Sequence, residues 1–248
     1  MIKIRQNQDT LKYIIFSYRI LLALFSWTVL GIMFYQSVSY QSDIAAGILA
    51  GIKSYRYYTM QTNLFVALWY TFAIFFHFKP ELLNKIQGGL KGALTLYITI
   101  TFIVFAVMLS GSYQPTGIDR FTNIGSHYII PILFIVDWFI TEWDVKYRWV
   151  YLAFWVIYPL CYLIFAVLHG TYIDTGNYLY PFLDLQSMGW SKFVVSVFVL
   201  VVVFLSLGSL YIGLNRIIRL IISKKQQENN EKEVTENTEE SENREEDI

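Results

Sequence analysis

One cysteine, five prolines and very little charge are the first features of this 248-residue chain. The lone Cys161 excludes an intrachain disulfide, and because it sits in an apolar run it does not report a redox compartment. Charged residues make up only 15% of the chain, against roughly 25% in a soluble domain, whose surface must be solvated. No His, Cys, Asp or Glu cluster has metal-ligand spacing. No glycine-rich phosphate loop and no basic nucleic-acid patch occur either. The sequence thus predicts no metal, no cofactor and no nucleic-acid partner. No internal repeat is visible, which weighs against the repeated architecture of many transporters.

What is present is apolar and aromatic: 55% hydrophobic residues, 18% aromatic, and a mean hydropathy of +0.43. A hydrocarbon core about 30 Å thick needs roughly 20 apolar helical residues to span it. Six stretches qualify, at 13–35, 58–78, 93–109, 121–140, 149–168 and 193–214. The expected fold class is therefore all-α, a polytopic membrane protein with a bundle of six transmembrane helices over residues 1–222. Trp27, Trp69, Trp138, Trp143, Trp149 and Trp190 lie mostly near segment ends, where amphipathic rings sit at headgroup depth. The first segment is too long for a cleaved signal and reads as an uncleaved anchor.

Net charge is zero but strongly segregated. Lys3, Arg5 and Lys12 precede the first span. Lys79, Lys85 and Lys91 lie around the second connection with Pro80, Lys146 and Arg148 lie in the fourth, and Arg216, Arg219, Lys224 and Lys225 follow the last span. The alternate connections hold Lys53, Arg56 and Arg120, with Lys192 at a margin. An even number of spans with this bias places both termini in the cytoplasm. Residues 223–248 form a Glu/Asn-rich tail with no apolar period, expected to be disordered because it cannot bury enough surface to fold.

Polar residues inside spans are expensive and usually face the bundle interior. Here most fall at one depth, on the outer side. Thr59, Gln61, Thr62 and Asn63 open the second span; Asn123, Ser126 and His127 open the fourth. His169 closes the fifth, below a loop with Asp174, Tyr180 and Asp184. Helical spacing aligns Thr59 with Thr62 and Asn63, and Asn123 with His127. Pro131 cannot donate the hydrogen bond that the His127 carbonyl would accept, so the helix should loosen there. A hydroxyl near an imidazole in a lipid-facing cleft is a minimum kit for attack on an ester. On spacing alone, a threonine bonded to its own backbone and a histidine in a buried hydrogen bond fit equally.

Three motifs in order narrow these readings. Thr175-Gly176-Asn177-Tyr178-Leu179-Tyr180-Pro181-Phe182-Leu183-Asp184 is similar to the T-G-x-x-x-Y-P-F-L-[D/E] segment of the androgen-induced protein / androgen-dependent TFPI-regulating protein family. Asn123-Ile-Gly125-Ser-His127 before Pro131 resembles its N-x-G-x-H motif, and Arg56-Tyr57-Tyr58-Thr59 resembles the start of its second helix. The motifs cover the middle half of the chain. The resemblance implies a multi-pass threonine hydrolase acting on fatty-acid esters of hydroxy fatty acids, with membrane lipids as surroundings and a lipid ester as substrate. By position Thr59 is then the nucleophile and His127 the base. A neutral imidazole suits that task near pH 7. Asn63, Asn123 and Gln61 are candidate oxyanion donors. Asp184 is a candidate to orient an imidazole, His169 has a secondary role, and Tyr180 belongs to the loop motif.

The chain also departs from the family pattern. Thr59-Met-Gln-Thr62-Asn63 is one residue longer after the threonine, so Thr62 competes with Thr59 as the aligned hydroxyl. Asp184 stands where animal members carry glutamate. The Lys-, Ile- and Tyr-rich composition looks bacterial, which points to a bacterial cytoplasmic membrane. Arg19 and Asp137 lie at similar depth near the cytoplasmic ends of the first and fourth spans, and pairing would lower the cost of both. Ser206, Ser209 and Gly213 form a small-residue face, read as a packing seam. Two other classes remain open. One is a transporter or lipid-binding protein without covalent chemistry; the other is a haem protein using His127 and His169, with His77 at the opposite face.

Overall fold

A computed structural model describes the backbone of residues 2–79, 81–83, 87–142 and 145–246. Pro80, Lys85 and Trp143 lie outside these residues, as do the side chains of Lys3 and Arg5 and of residues 232–248. The described chain is helical, and among the described residues no strand occurs. The helices are α1 Ile2–Ser39, α2 Ile44–Ser54, α3 Tyr58–Phe75, α4 Gly92–Val104, α5 Gly117–Ile124, α6 Ile130–Thr141, α7 Val150–Leu168 and α8 Leu185–Glu246. Five helical stretches are long and apolar enough to cross a membrane: Thr10–Ser39, Gly88–Leu109, Gly117–Thr141, Val150–Ile173 and Leu185–Asn229.

The second expected span is a helix, α3, but it is not one of those five. Its first turns carry Thr59, Gln61, Thr62 and Asn63, which dilute its hydropathy. Position explains how it carries them. α3 packs against α1, α4 and α6, and Thr62, Asn63, Val66, Tyr70 and Ala73 are all essentially inaccessible. A helix enclosed by other helices meets hydrogen-bond partners rather than lipid, so polar groups on it are affordable.

Four π-helical turns interrupt the bundle among the described residues: Gln87–Lys91, Phe105–Leu109, Gly125–Ile129 and His169–Ile173. A π-turn inserts one extra residue, widening the helix and re-aiming its side chains. The turn at Gly125–Ile129 has an identifiable cause in Pro131, which lacks the amide hydrogen that would bond back to Ser126 or His127. The freed Ser126 carbonyl accepts instead from Asn63 Nδ2 at 3.0 Å. Proline acts the same way in α7: Pro159 frees the carbonyl of Trp155, which accepts from the Tyr97 hydroxyl at 2.9 Å.

One expectation changes. The small-residue face of α8 is not a seam, because Ser206 is exposed and Gly213 has open space beside it. The close approach is at Gly208, where a Cβ would lie 2.5 Å from Leu152 Cδ1. The acidic tail continues the backbone of α8 in helical form as far as Glu246, and residues 223–229 are exposed.

The end of the bundle holding the start of α1 and the end of α6 buries a network of full charges. Arg19 Nε lies 3.5 Å from Asp137 Oδ1, as the matched depths predicted. Lys91, expected in a connection, is instead wholly buried, with Nζ 2.6 Å from Asp137 Oδ2. Its ammonium also donates to the Asp137 carbonyl and to Thr141. Next to it Glu142 Oε2 accepts from Tyr147 (2.9 Å), whose hydroxyl accepts from the Trp138 indole at 2.7 Å. Asn215 of α8 closes this end, donating to the carbonyls of Glu142 and Val145 and accepting from the Tyr147 amide.

Candidate functional site

The opposite end is assembled from hydroxyls, amides and imidazole. Thr59 Oγ1, on the first turn of α3, lies 3.4 Å from His127 Nε2. That is long for a hydrogen bond, but catalytic pairs without substrate are often loose and tighten on binding. The other ring nitrogen, Nδ1, is 3.1 Å from the Asn123 carbonyl and 3.2 Å from Ser126 Oγ. A carbonyl only accepts, so Nδ1 carries the proton and Nε2 turns its lone pair to Thr59. The ring stacks on Phe105 at 3.8 Å between centroids, which fixes its plane.

Each of these positions has a local cause. His127 and Phe105 both lie on π-turns, which place them face to face. Gly125 lets α1 come close, since a Cβ there would lie 2.8 Å from Val29 Cγ2. Asn63 donates to both the Thr59 and Ser126 carbonyls, at 2.8 and 3.0 Å. It thereby holds the helix of Thr59 against the helix of His127.

The structure separates the remaining candidates. Thr62 is buried, and its hydroxyl bonds to Thr101 at 2.8 Å and to the Thr59 carbonyl, away from either imidazole. Both amide hydrogens of Asn63 are committed. Gln61 is stretched between the Tyr55 carbonyl and the Tyr158 hydroxyl, each at 2.8 Å. Asn123 serves through its backbone, while its buried side-chain Oδ1 has no partner. Asp184 faces no imidazole; its carboxylate accepts from the amides of Gln186 and Ser187, each at 3.0 Å, as the cap of α8. These two amide bonds and the Ser187 side chain hold its carboxyl below the usual range despite some desolvation. His169 is buried, with Nε2 3.5 Å from Arg56 Nη1, and Arg56 in turn meets Asp174 at 3.6 Å.

Tyr180 occupies a place that spacing alone does not reveal. The start of α3 has no side-chain cap, so its first amides are orphans. The Tyr58 amide donates to two tyrosine hydroxyls at once, Tyr162 at 2.9 Å and Tyr180 at 3.0 Å. Tyr162 passes its own proton to the Arg56 carbonyl at 2.9 Å. The loop motif delivers Tyr180 here. Gly176 turns the chain at φ +86°, which only glycine adopts cheaply, and Pro181 starts a 3₁₀ turn Pro181–Leu183 whose Phe182 stacks on Tyr180.

Thr59 and Tyr180 open onto a cavity of about 200 Å³ lined otherwise by Ile100, Val104, Phe204 and similar apolar groups. Leu160, Val201 and Leu205 line it while remaining on the outer surface. The cavity is therefore reached sideways, between α7 and α8. Among the described residues no group of three His, Cys, Asp or Glu side chains is placed to hold a metal ion.

The fold defines a helical protein with helices long and apolar enough to cross a membrane and a hydroxyl–imidazole pair beside an apolar cavity. No family model matches the chain, and no curated protein or solved structure matches it either.

Proposed function

We propose that this protein is an intramembrane lipid-ester hydrolase of the androgen-induced protein type, with Thr59 as nucleophile and His127 as general base. The observation carrying this reading is the Thr59 hydroxyl, 3.4 Å from a correctly tautomeric imidazole nitrogen and lining an apolar cavity. In this mechanism Thr59 Oγ1 attacks the ester carbonyl carbon while His127 Nε2 takes its proton. The intermediate then collapses, the carbon–alkoxide bond breaks, and His127 returns the proton to the leaving oxygen. Water, deprotonated by the same nitrogen, hydrolyses the acyl-threonine to release the acid. The apolar cavity, open at its side, suits a fatty acyl chain arriving from the bilayer.

The accompanying topology has six crossings, α3 being the sixth, with both termini cytoplasmic in a bacterial cytoplasmic membrane. Two features support it: the segregated lysines and arginines, and the alternation of helix direction implied by contacts at the two ends. Impermeant maleimide tests it in a Cys161→Ala background: a cysteine placed at Ser223 should label only after permeabilisation, and one at Gln114 should label in intact cells.

The test of function is turnover of a long-chain 4-nitrophenyl ester by purified protein, together with labelling by a fluorophosphonate probe. Both are expected to vanish in Thr59→Ala and persist in Thr62→Ala. Equal labelling of wild type and Thr59→Ala overturns the proposal. A second reading, a lipid-binding protein without covalent chemistry, is favoured by the cavity alone. It predicts a lipid copurifying equally with wild type and Thr59→Ala, and no turnover.

A further inference from the structure

A hydrolase that attacks with Thr59 must stabilise the negative charge that develops on the carbonyl oxygen. The amide side chains nominated from the sequence do not supply this. Both hydrogens of Asn63 and one of Gln61 are bound within the protein, and none of Asn63, Gln61 and Asn123 lines the cavity onto which Thr59 opens. The same end of the bundle holds a phenolic hydroxyl that meets the first turn of α3 and lines the cavity beside Thr59. The Tyr180 hydroxyl accepts from the Tyr58 amide at 3.0 Å and also interacts with the Thr59 backbone and side chain. It also meets the Tyr162 hydroxyl, whose proton goes to the Arg56 carbonyl, so the Tyr180 proton is left for a neighbouring hydroxyl or a ligand. Tyr180 is only 9% exposed, and it lines the same cavity as Thr59.

Resting on the hydrolase reading, we infer that the Tyr180 hydroxyl is the oxyanion donor, aimed at the carbonyl oxygen of an ester held on Thr59. As the carbon–oxygen double bond opens under attack, the new oxyanion accepts from the Tyr180 O–H. When the bond re-forms and the alkoxide leaves, the proton is still on Tyr180. The hydroxyl lends a hydrogen bond and is not consumed.

Three properties fit it for this. Burial raises the hydroxyl above its ordinary range, opposed by the bonds it accepts, so it stays protonated and able to donate. Accepting from the Tyr58 amide polarises it and strengthens its donation. It also sits at the start of α3, where the helix dipole and the orphan amides favour negative charge. Tyr162, one residue deeper in the network, is a positioning residue, because its proton is spent on Arg56.

The experiment compares wild type, Tyr180→Phe, Tyr162→Phe and Thr59→Ala in detergent with the 4-nitrophenyl ester. Tyr180→Phe is expected to lower kcat about 100-fold with KM within about threefold, the size of effect seen when one oxyanion donor is removed. Tyr162→Phe should cost less than a tenth of that. Thr59-dependent turnover with kcat unchanged in Tyr180→Phe, or a change confined to KM, overturns the assignment and leaves the hydrolase reading standing. Wild-type turnover no greater than that of Thr59→Ala overturns both. Should Tyr180→Phe not fold, a ring-fluorinated tyrosine at 180 keeps the shape and lowers the phenol pKa. The assignment then requires a new fall in kcat as the pH rises through that lowered pKa, since a phenolate cannot donate. An unchanged pH profile overturns it.

Discussion

The two ends of this bundle bury polar groups in opposite ways. At the end of Asp137, full charges meet: Arg19 and Lys91 converge on one carboxylate, and Lys91 has further acceptors in the Asp137 carbonyl and Thr141. At the end of Thr59 the one ion pair, Arg56 with Asp174, is partly exposed, the central hydroxyl–imidazole contact is loose at 3.4 Å, and a void lies beside it. Opposite charges paired across packed helices hold those helices together. Unsaturated hydrogen-bonding capacity next to an empty apolar volume is what a reacting ligand needs.

Several experiments break or sharpen that contrast. The largest effect belongs to the loose end: Thr59→Ala should reduce ester turnover at least about a thousandfold, with thermal unfolding in detergent shifted little. Thr62→Ala should stay within about threefold, since its hydroxyl serves Thr101. At the charged end the order reverses. Asp137→Ala leaves two buried cations uncompensated and should cost about 3–5 kcal/mol of stability, read as a collapse of the unfolding midpoint. Replacing Arg19, Lys91 and Asp137 together by Leu, Met and Leu should recover most of it. Recovery failing in the triple variant would mean that the network does more than satisfy its own charges.

A smaller effect follows at the hinge between α3 and the His127 turn. Asn63→Leu leaves the Ser126 carbonyl unpaired, at about 1–3 kcal/mol. It should also lower turnover, because the two helices carrying Thr59 and His127 lose their tie. The charged end also predicts a pH dependence. Burial pushes Glu142 up to about 7, against the pull of Lys91 and the Tyr147 hydroxyl. Its ordinary value is 4.5, so between 4.5 and about 7 the folded protein holds a proton that the unfolded chain has lost. Stability therefore falls as pH rises across that window and levels off above it. Glu142→Gln should flatten the slope of unfolding midpoint against pH, and an unchanged slope would remove Glu142 from the account.

Much of the architecture was legible as apolar runs, because a helix in lipid must carry some twenty apolar residues whatever its neighbours. The exception is α3, and it is instructive. Its polar first turns are tolerated because α1, α4 and α6 surround it, a fact about neighbours. Lys91 was misplaced for the same reason: a lysine at a helix start looks like a loop charge until its partner, 46 residues away on α6, comes into view. The Thr59–His127 pairing was expected from depth and motif order. Thr62 could not be separated from Thr59 by spacing, since the two lie on one helix face and only the direction of each hydroxyl distinguishes them. Asn63, Gln61 and Asp184 looked like donors or orienters by residue type. Their partners, the carbonyls of Thr59, Ser126 and Tyr55 and the amides of Gln186 and Ser187, are backbone groups that a residue pattern does not display. The π-turn at His127 had a visible signal in Pro131, whereas the turns at Phe105 and His169 had none.

By itself the sequence determined that this chain is helical and apolar, with one group of polar residues at the starts of the second and fourth apolar runs. Those properties follow from solvation, which each residue meets alone. Tertiary structure decided which hydroxyl faces the imidazole, which amides are already spent, and that Tyr180 meets the start of α3. These depend on pairwise directions across helices, and a side chain 122 positions away in sequence has no local signature of whom it will touch.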